Sequence, residues 1–112
     1  GHGIQVSKNL GEIEEIINDS PSKTLILQKY IHNPLLINRR KFDIRTYVLM
    51  TSVNGNTKVY IYEEGYLRTS SREYSNHNIH DRLVHLTNDA VQKRAPDYGK
   101  YEAGNKLSYQ DF

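Results

Sequence analysis

Lys41, Asp43 and Arg45 stand at alternate positions in the run Lys41-Phe42-Asp43-Ile44-Arg45-Thr46-Tyr47-Val48-Leu49-Met50. Side chains on a strand alternate with period two, so in extended backbone these three share a face while Phe42, Ile44, Thr46 and Val48 take the other. Beyond Arg45 both faces become largely apolar. Such a strand runs from a charged mouth into a buried interior, as at the polar end of a sheet. The same spacing also fits a charged strand end that merely pairs with its neighbours.

The surrounding charge separates into blocks. Lys29, Arg39, Arg40, Lys41, Arg45, Arg68 and Arg72 occupy the middle of the chain, whereas Glu12, Glu14, Glu15 and Asp19 lie near its start. Converged in space, the basic set would suit an anionic partner such as a phosphate or an acidic peptide. The net charge is only +2, which gives no case for nucleic acid; that would need a stronger basic excess with interleaved aromatics. The chain has no cysteine, which excludes a disulfide framework and a thiolate metal site and agrees with a reducing compartment. His77 and His80 are three apart, but no compact set of further ligands accompanies them. Neither a signal-peptide pattern nor an apolar run near the roughly 20 residues of a bilayer span is present, so no membrane is expected.

These side chains need a scaffold, and 112 residues allow at most one ordinary domain. Gly1-His2-Gly3 reads as a flexible connection whose amides can approach a phosphate, followed by a short strand over 4–6. Ser7 or Asn9 caps a helix over 10–18, with Leu10, Ile13, Ile16 and Ile17 at helical spacing and glutamates toward water. A strand is expected over 24–30, then a turn at His32-Asn33-Pro34, an apolar anchor at 35–37 and a basic loop, Asn38-Arg39-Arg40. One long strand over 41–53 should turn at Asn54-Gly55-Asn56 and return over 58–62. Glu63-Glu64-Gly65 then leads into a third consecutive antiparallel strand, 66–69, bringing Arg68 near Arg45. Two guanidiniums side by side are unfavourable unless an anion or carboxylate sits between them. Residues 70–81 read as a surface excursion, 83–88 as a short strand, and 89–94 as one or two helical turns capped by Thr87 or Asn88. Residues 95–106 are loop-like, and a helix is expected to begin at Ser108. The expected class is α+β, mainly antiparallel sheet with flanking helices. A pattern that opens without preamble and stops within an element suggests an excised piece.

Taken together, Gln28-Lys29-Tyr30-Ile31, Pro34-Leu35-Leu36-Ile37, Lys41-Phe42-Asp43-Ile44-Arg45, Leu67-Arg68 and His85-Leu86-Thr87-Asn88, in that order and spacing, resemble the tubulin tyrosine ligase-like family. Gly99-Lys100-Tyr101-Glu102 with Gly104-Asn105 is similar to the tyrosine ligase, while Val84-His85-Leu86-Thr87-Asn88 and Ala90-Val91-Gln92-Lys93 also resemble the glutamylases. The resemblance covers nearly the whole chain. It implies part of an ATP-grasp fold, incomplete at both ends, in which ATP with magnesium phosphorylates a carboxylate and an amino acid's amine then displaces phosphate to form an amide.

By the same resemblance, Gln28, Lys29, Tyr30 and Ile31 form the hinge that receives adenine, Lys41 suits phosphate and Asp43 suits ribose hydroxyls. Arg45 and Arg68 bind the acceptor carboxylate or the incoming amino acid, and Thr87 and Asn88 line the phosphate and amino-acid end. Gly1 and Gly3 match the glycine-flanked loop ahead of the first strand. The magnesium ligands of the family are expected outside this chain. The implied partners are the tubulin C-terminal tail and a free amino acid, tyrosine or glutamate ahead of glycine, in the cytoplasm, on microtubules or at a cilium or basal body. The competing reading is a module that binds microtubules or another acidic protein and keeps the fold without the chemistry.

Overall fold

A computed structural model describes residues 3–112. Gly1 and His2, part of the glycine-flanked loop, lie outside the described residues.

The first helix, α1, spans Leu10–Asn18, and Asn9 caps it by accepting from the Gly11 amide at 2.9 Å. A short side-chain oxygen is what an orphan first-turn amide requires. None of its residues is buried. The flanking strands expected over 4–6 and 24–30 do not form. A strand exists only where a neighbour takes its backbone hydrogen bonds, and these segments have none in register. Ile26 accordingly remains 85% exposed despite its apolar surroundings in sequence.

Strands β1, Leu36–Ile37, and β2, Arg40–Arg45, form a tight hairpin. Asn38 and Arg39 both have positive φ, 47° and 62°, as a two-residue turn with matching twist demands. Arg40 is therefore a strand residue and not part of a basic loop. Beyond Arg45 the expected long strand breaks at Thr46-Tyr47, and β3, Val48–Val53, pairs with β4, Asn56–Ile61, as a separate two-stranded ribbon. Its turn, Asn54 at φ 51° and Gly55 at φ 80°, is the Asn-Gly reversal read from the sequence. The Tyr62 amide donates to the Tyr47 carbonyl at 2.9 Å and closes the base of this ribbon.

The chain thus leaves the main sheet after β2 and returns as β5, Tyr66–Glu73, so β5 pairs with β2 and not with β4. With β6, Lys106–Ser108, the sheet order is β1-β2-β5-β6, and each adjacent pair is antiparallel. Arg40 faces Glu73 but Phe42 faces Thr69, a bulge on the β5 side that twists the pair beneath Lys41.

Residues 70–81 begin inside the molecule, contrary to the surface excursion expected. Ser70 and Ser71 are buried on β5, and their backbone groups meet polar partners. The Arg40 guanidinium donates to the Ser70 carbonyl at 3.0 Å, and the Ser71 amide donates to Gln92 Oε1 at 2.8 Å. Asn105 donates to the Thr69 carbonyl at 3.0 Å and to Ser71 Oγ at 2.9 Å. Buried polar groups are tolerated when partnered in this way. Leu67, Val84, Leu86, Val91 and Ala95 supply the apolar part of the core.

Two one-turn helices cover β5: α2, Arg82–His85, and α3, Asp89–Gln92. The first replaces the strand expected over 83–88, because Asp81 Oδ1 accepts from the Leu83 amide at 3.0 Å and starts a helical turn. A strand and turn, not a helix, occupy 106–111. The molecule is α+β, with a mainly antiparallel sheet and flanking helices, consistent with part of an ATP-grasp-like fold.

Candidate functional site

Register fixes which side chains meet. Asp43 lies opposite Arg68 and Arg45 opposite Tyr66 on the β2–β5 pair, while Arg68 lies opposite Lys106 on β5–β6. Directly opposed residues share a face, so Lys41, Asp43 and Arg45 from β2, Tyr66 and Arg68 from β5 and Lys106 from β6 form one surface. Arg45 and Arg68 are diagonal neighbours on it.

Asp43 supplies a carboxylate to one of the two arginines, Arg68. Arg68 Nε donates to both Asp43 oxygens at 3.0 and 3.1 Å, and Nη2 reaches Oδ2 at 2.5 Å. Those hydrogen bonds, against a smaller effect of burial, hold Arg68 above the ordinary guanidinium range. Arg45 is exposed and, among the described residues, forms no ion pair. Its charged head is available to an anion.

Lys41 lies at the other end of the surface. Its Nζ donates to Tyr30 Oη at 3.3 Å and to the His85 carbonyl at 3.1 Å, and sits 4.6 Å from the centre of the Tyr30 ring. Burial lowers its pKa, partly offset by the Asp43 charge. Tyr30 is shifted upward, first by burial and then by the neighbouring Tyr74. Of the four hinge residues, only Tyr30 turns its side chain inward; Gln28, Lys29 and Ile31 are exposed.

The His85 carbonyl brings the segment that carries Thr87 and Asn88 beside Lys41. Both residues are half-buried, and Asn88 occupies the cap position of α3 through its carbonyl, which accepts from the Val91 and Gln92 amides at 2.9 and 3.0 Å. Its side chain makes no capping hydrogen bond, so capping does not account for that amide. Asp89, next in the chain, accepts from Tyr98 Oη at 2.7 Å and pairs with Lys93 at 2.9 Å. Those bonds, to Lys93 first, depress its carboxyl, and its charge in turn reaches Arg68. The surface is thus framed by Tyr30 and Lys41 at one end and by Asp89 and Lys106 at the other.

Beneath it lies a pair that the sequence reading missed. Arg40, 2% exposed, forms a two-pronged ion pair with Glu102; Nη1 to Oε2 is 3.0 Å, and Nη2 bonds Oε1. Thr69 Oγ1 donates to the same carboxylate at 2.8 Å, and the Tyr101 ring covers the guanidinium at 4.3 Å. Burial raises the Glu102 pKa, but the bonds from Arg40 and Thr69 outweigh it and leave the group below its ordinary value. The available signal was parity: Arg40 shares the strand face of Phe42 and Ile44, opposite that of Lys41.

Gly3, at φ 73°, lines a separate hollow of about 330 Å³ with Ile4, Gln5, Val6, Ile79, His80 and Arg82. Among the described residues no group of three His, Cys, Asp or Glu side chains gathers to hold a metal ion. The surface nevertheless suits a phosphate beside a carboxylate, since an ammonium and a free guanidinium flank an arginine already anchored by its own acid.

A family model described as the tubulin-tyrosine ligase family matches residues 1–112. Among curated relatives, the chain is 42% identical over 94 residues to tubulin glycylase 3B of Drosophila melanogaster, covering 84% of this chain and 12% of that protein. It is 43% identical over 104 residues to tubulin glycylase 3D of Tetrahymena thermophila, covering 91% of this chain and 10% of the relative. Probable tubulin polyglutamylase TTLL9 of Rattus norvegicus is 43% identical over 95 residues, 85% of this chain and 20% of that protein. The chain spans no more than about a fifth of the length of these three relatives. It belongs to the tubulin-tyrosine ligase family.

Proposed function

We propose that this chain is part of a longer ATP-dependent ligase that joins an amino acid to tubulin C-terminal tails. The observation that carries the reading is the single face shared by Lys41, Asp43, Arg45 and Arg68, with Tyr30 and the 85–88 segment folded against its Lys41 end. ATP, as substrate, supplies the phosphoryl group that turns the acceptor carboxylate into an acyl phosphate; the amino acid's amine then attacks the acyl carbon and phosphate leaves.

The chain's own residues bind and orient. Lys41 has two N–H groups engaged by Tyr30 and His85, which leaves a third for a phosphate oxygen. Asp43 fixes the plane of Arg68, so the remaining edge of the guanidinium and the exposed Arg45 can hold a carboxylate by paired hydrogen bonds. Positioning and electrostatics suffice for such a transfer, without a side-chain nucleophile. By the family resemblance the magnesium ligands belong to other parts of the full-length protein, and the residues here meet the nucleotide and the acceptor carboxylate.

The names of the relatives support tubulin as the acceptor. They also bring glycine level with glutamate as the added residue, ahead of tyrosine. A cytoplasmic microtubule setting, including the cilium, follows from this reading. The test is to incubate the full-length protein with tubulin, ATP and each of glycine, glutamate and tyrosine, and to weigh the tails. An added mass of one or more residues is expected with a single amino acid. Tubulin binding with no added mass in any arm would leave the non-catalytic binding module instead.

A further inference from the structure

His85 is 1% exposed, and both ring nitrogens are engaged: Nδ1 lies 2.7 Å from Tyr30 Oη, and Nε2 lies 2.8 Å from the Asn78 carbonyl. A carbonyl can only accept, so Nε2 carries a proton, and the tautomer with its single proton there accepts at Nδ1. The Tyr30 hydroxyl therefore donates to Nδ1 and keeps its lone pairs for Lys41 Nζ, 3.3 Å away. The reverse order would aim the hydroxyl proton at an ammonium and the Nε2 lone pair at a carbonyl. All donors in the series consequently point one way, from Lys41 through Tyr30 and His85 to the backbone of Asn78. Edge-on contacts to the rings of Tyr30 and Tyr74, centroids 5.6 and 5.7 Å away, fix the plane of the imidazole.

From this we infer that Tyr30 and His85 are positioning residues for nucleotide phosphate, holding the Lys41 ammonium where its third proton meets the ligand. The inference rests on the nucleotide reading proposed above. It also gives Tyr30 two duties: its backbone belongs to the segment assigned to adenine, and its hydroxyl steadies the lysine assigned to phosphate. Base and phosphate ends of the nucleotide are thereby coupled through one side chain.

The experiment compares ATP with adenosine, which lacks the phosphates, by calorimetry on the full-length protein, for the unmodified form, Tyr30→Phe, Lys41→Ala and the double variant. Tyr30→Phe keeps the ring and removes the hydroxyl that accepts from Lys41 and donates to His85, so ATP affinity should fall about fivefold or more. Adenosine affinity should hold within about twofold, and in the Lys41→Ala background Tyr30→Phe should have no further effect on ATP, since the two act through one contact. Equal losses for ATP and adenosine, no loss for either, or additive losses in the double variant would overturn the inference. Failure of the unmodified protein to bind ATP would instead remove the nucleotide reading. The His85 ring nitrogens then decide the series itself by ¹⁵N NMR: an unprotonated Nδ1 supports it, and an unprotonated Nε2 or an imidazolium overturns it.

Discussion

At the scale of single residues, opposite charges are shared out in two different ways. Asp43 and Arg68 are partly open to solvent, whereas Arg40 and Glu102 are almost sealed. Removing one member of a sealed pair strands the other, at a cost of about 3–5 kcal/mol. Glu102→Ala should therefore lower unfolding stability by that order, read from denaturant midpoints, and Arg40→Ala should do the same. The pH dependence follows in sign. The Glu102 carboxyl is held below its ordinary value, so its contribution is complete above the unfolded carboxyl pKa and is lost as pH falls through the folded one. Glu102→Gln should flatten the acid limb of the stability curve; an unchanged limb would show that the pair is not what titrates. Of these four residues, Asp43 and Arg68 were legible in sequence by spacing and likeness. Arg40 and Glu102 were not, because a residue 62 positions away leaves no mark on local pattern.

The secondary-structure elements that were legible rest on local signals. The α1 cap and the Asn54-Gly55 reversal follow from turn and capping chemistry within a few residues. The break at Thr46-Tyr47 and the pairing of β5 with β2 depend on which strands are neighbours, and an apolar run reads the same in either sheet. For the same reason the polar residues of β5 resembled a loop until Gln92 and Asn105 were seen to satisfy them. Gly65 marks the return into β5. A Cβ there would collide with the Arg45 carbonyl and the Tyr109 hydroxyl, which are themselves hydrogen-bonded at 3.2 Å. Gly65→Ala should push β2 and β5 apart at Arg45. Its expected signature is a raised KM for the tubulin tail with a nearly unchanged KM for ATP; a loss confined to ATP would place Arg45 elsewhere.

The whole molecule leaves large apolar side chains open to solvent: Val48, Met50, Val59 and Ile61 on β3 and β4, and Leu10, Ile26 and Leu35 elsewhere. Val48 pairs with Ile61 and Met50 with Val59, so these four share one face of the ribbon, and a contiguous apolar face of this kind marks a surface that meets something else. The isolated 112-residue chain should accordingly bind an apolar dye and self-associate. It should add no glycine, glutamate or tyrosine to tubulin, since it spans no more than about a fifth of the length of its relatives; measurable turnover by the chain alone would contradict this. The central claim is a division of labour across one face, and steady-state kinetics of Lys41→Ala and Arg68→Ala in the full-length protein test it most directly. Lys41→Ala is predicted to raise KM for ATP with little change in KM for the tail. Arg68→Ala is predicted to abolish ligation while ATP still binds. Loss of ATP binding on removing Arg68, or unaltered ATP kinetics on removing Lys41, would contradict the account.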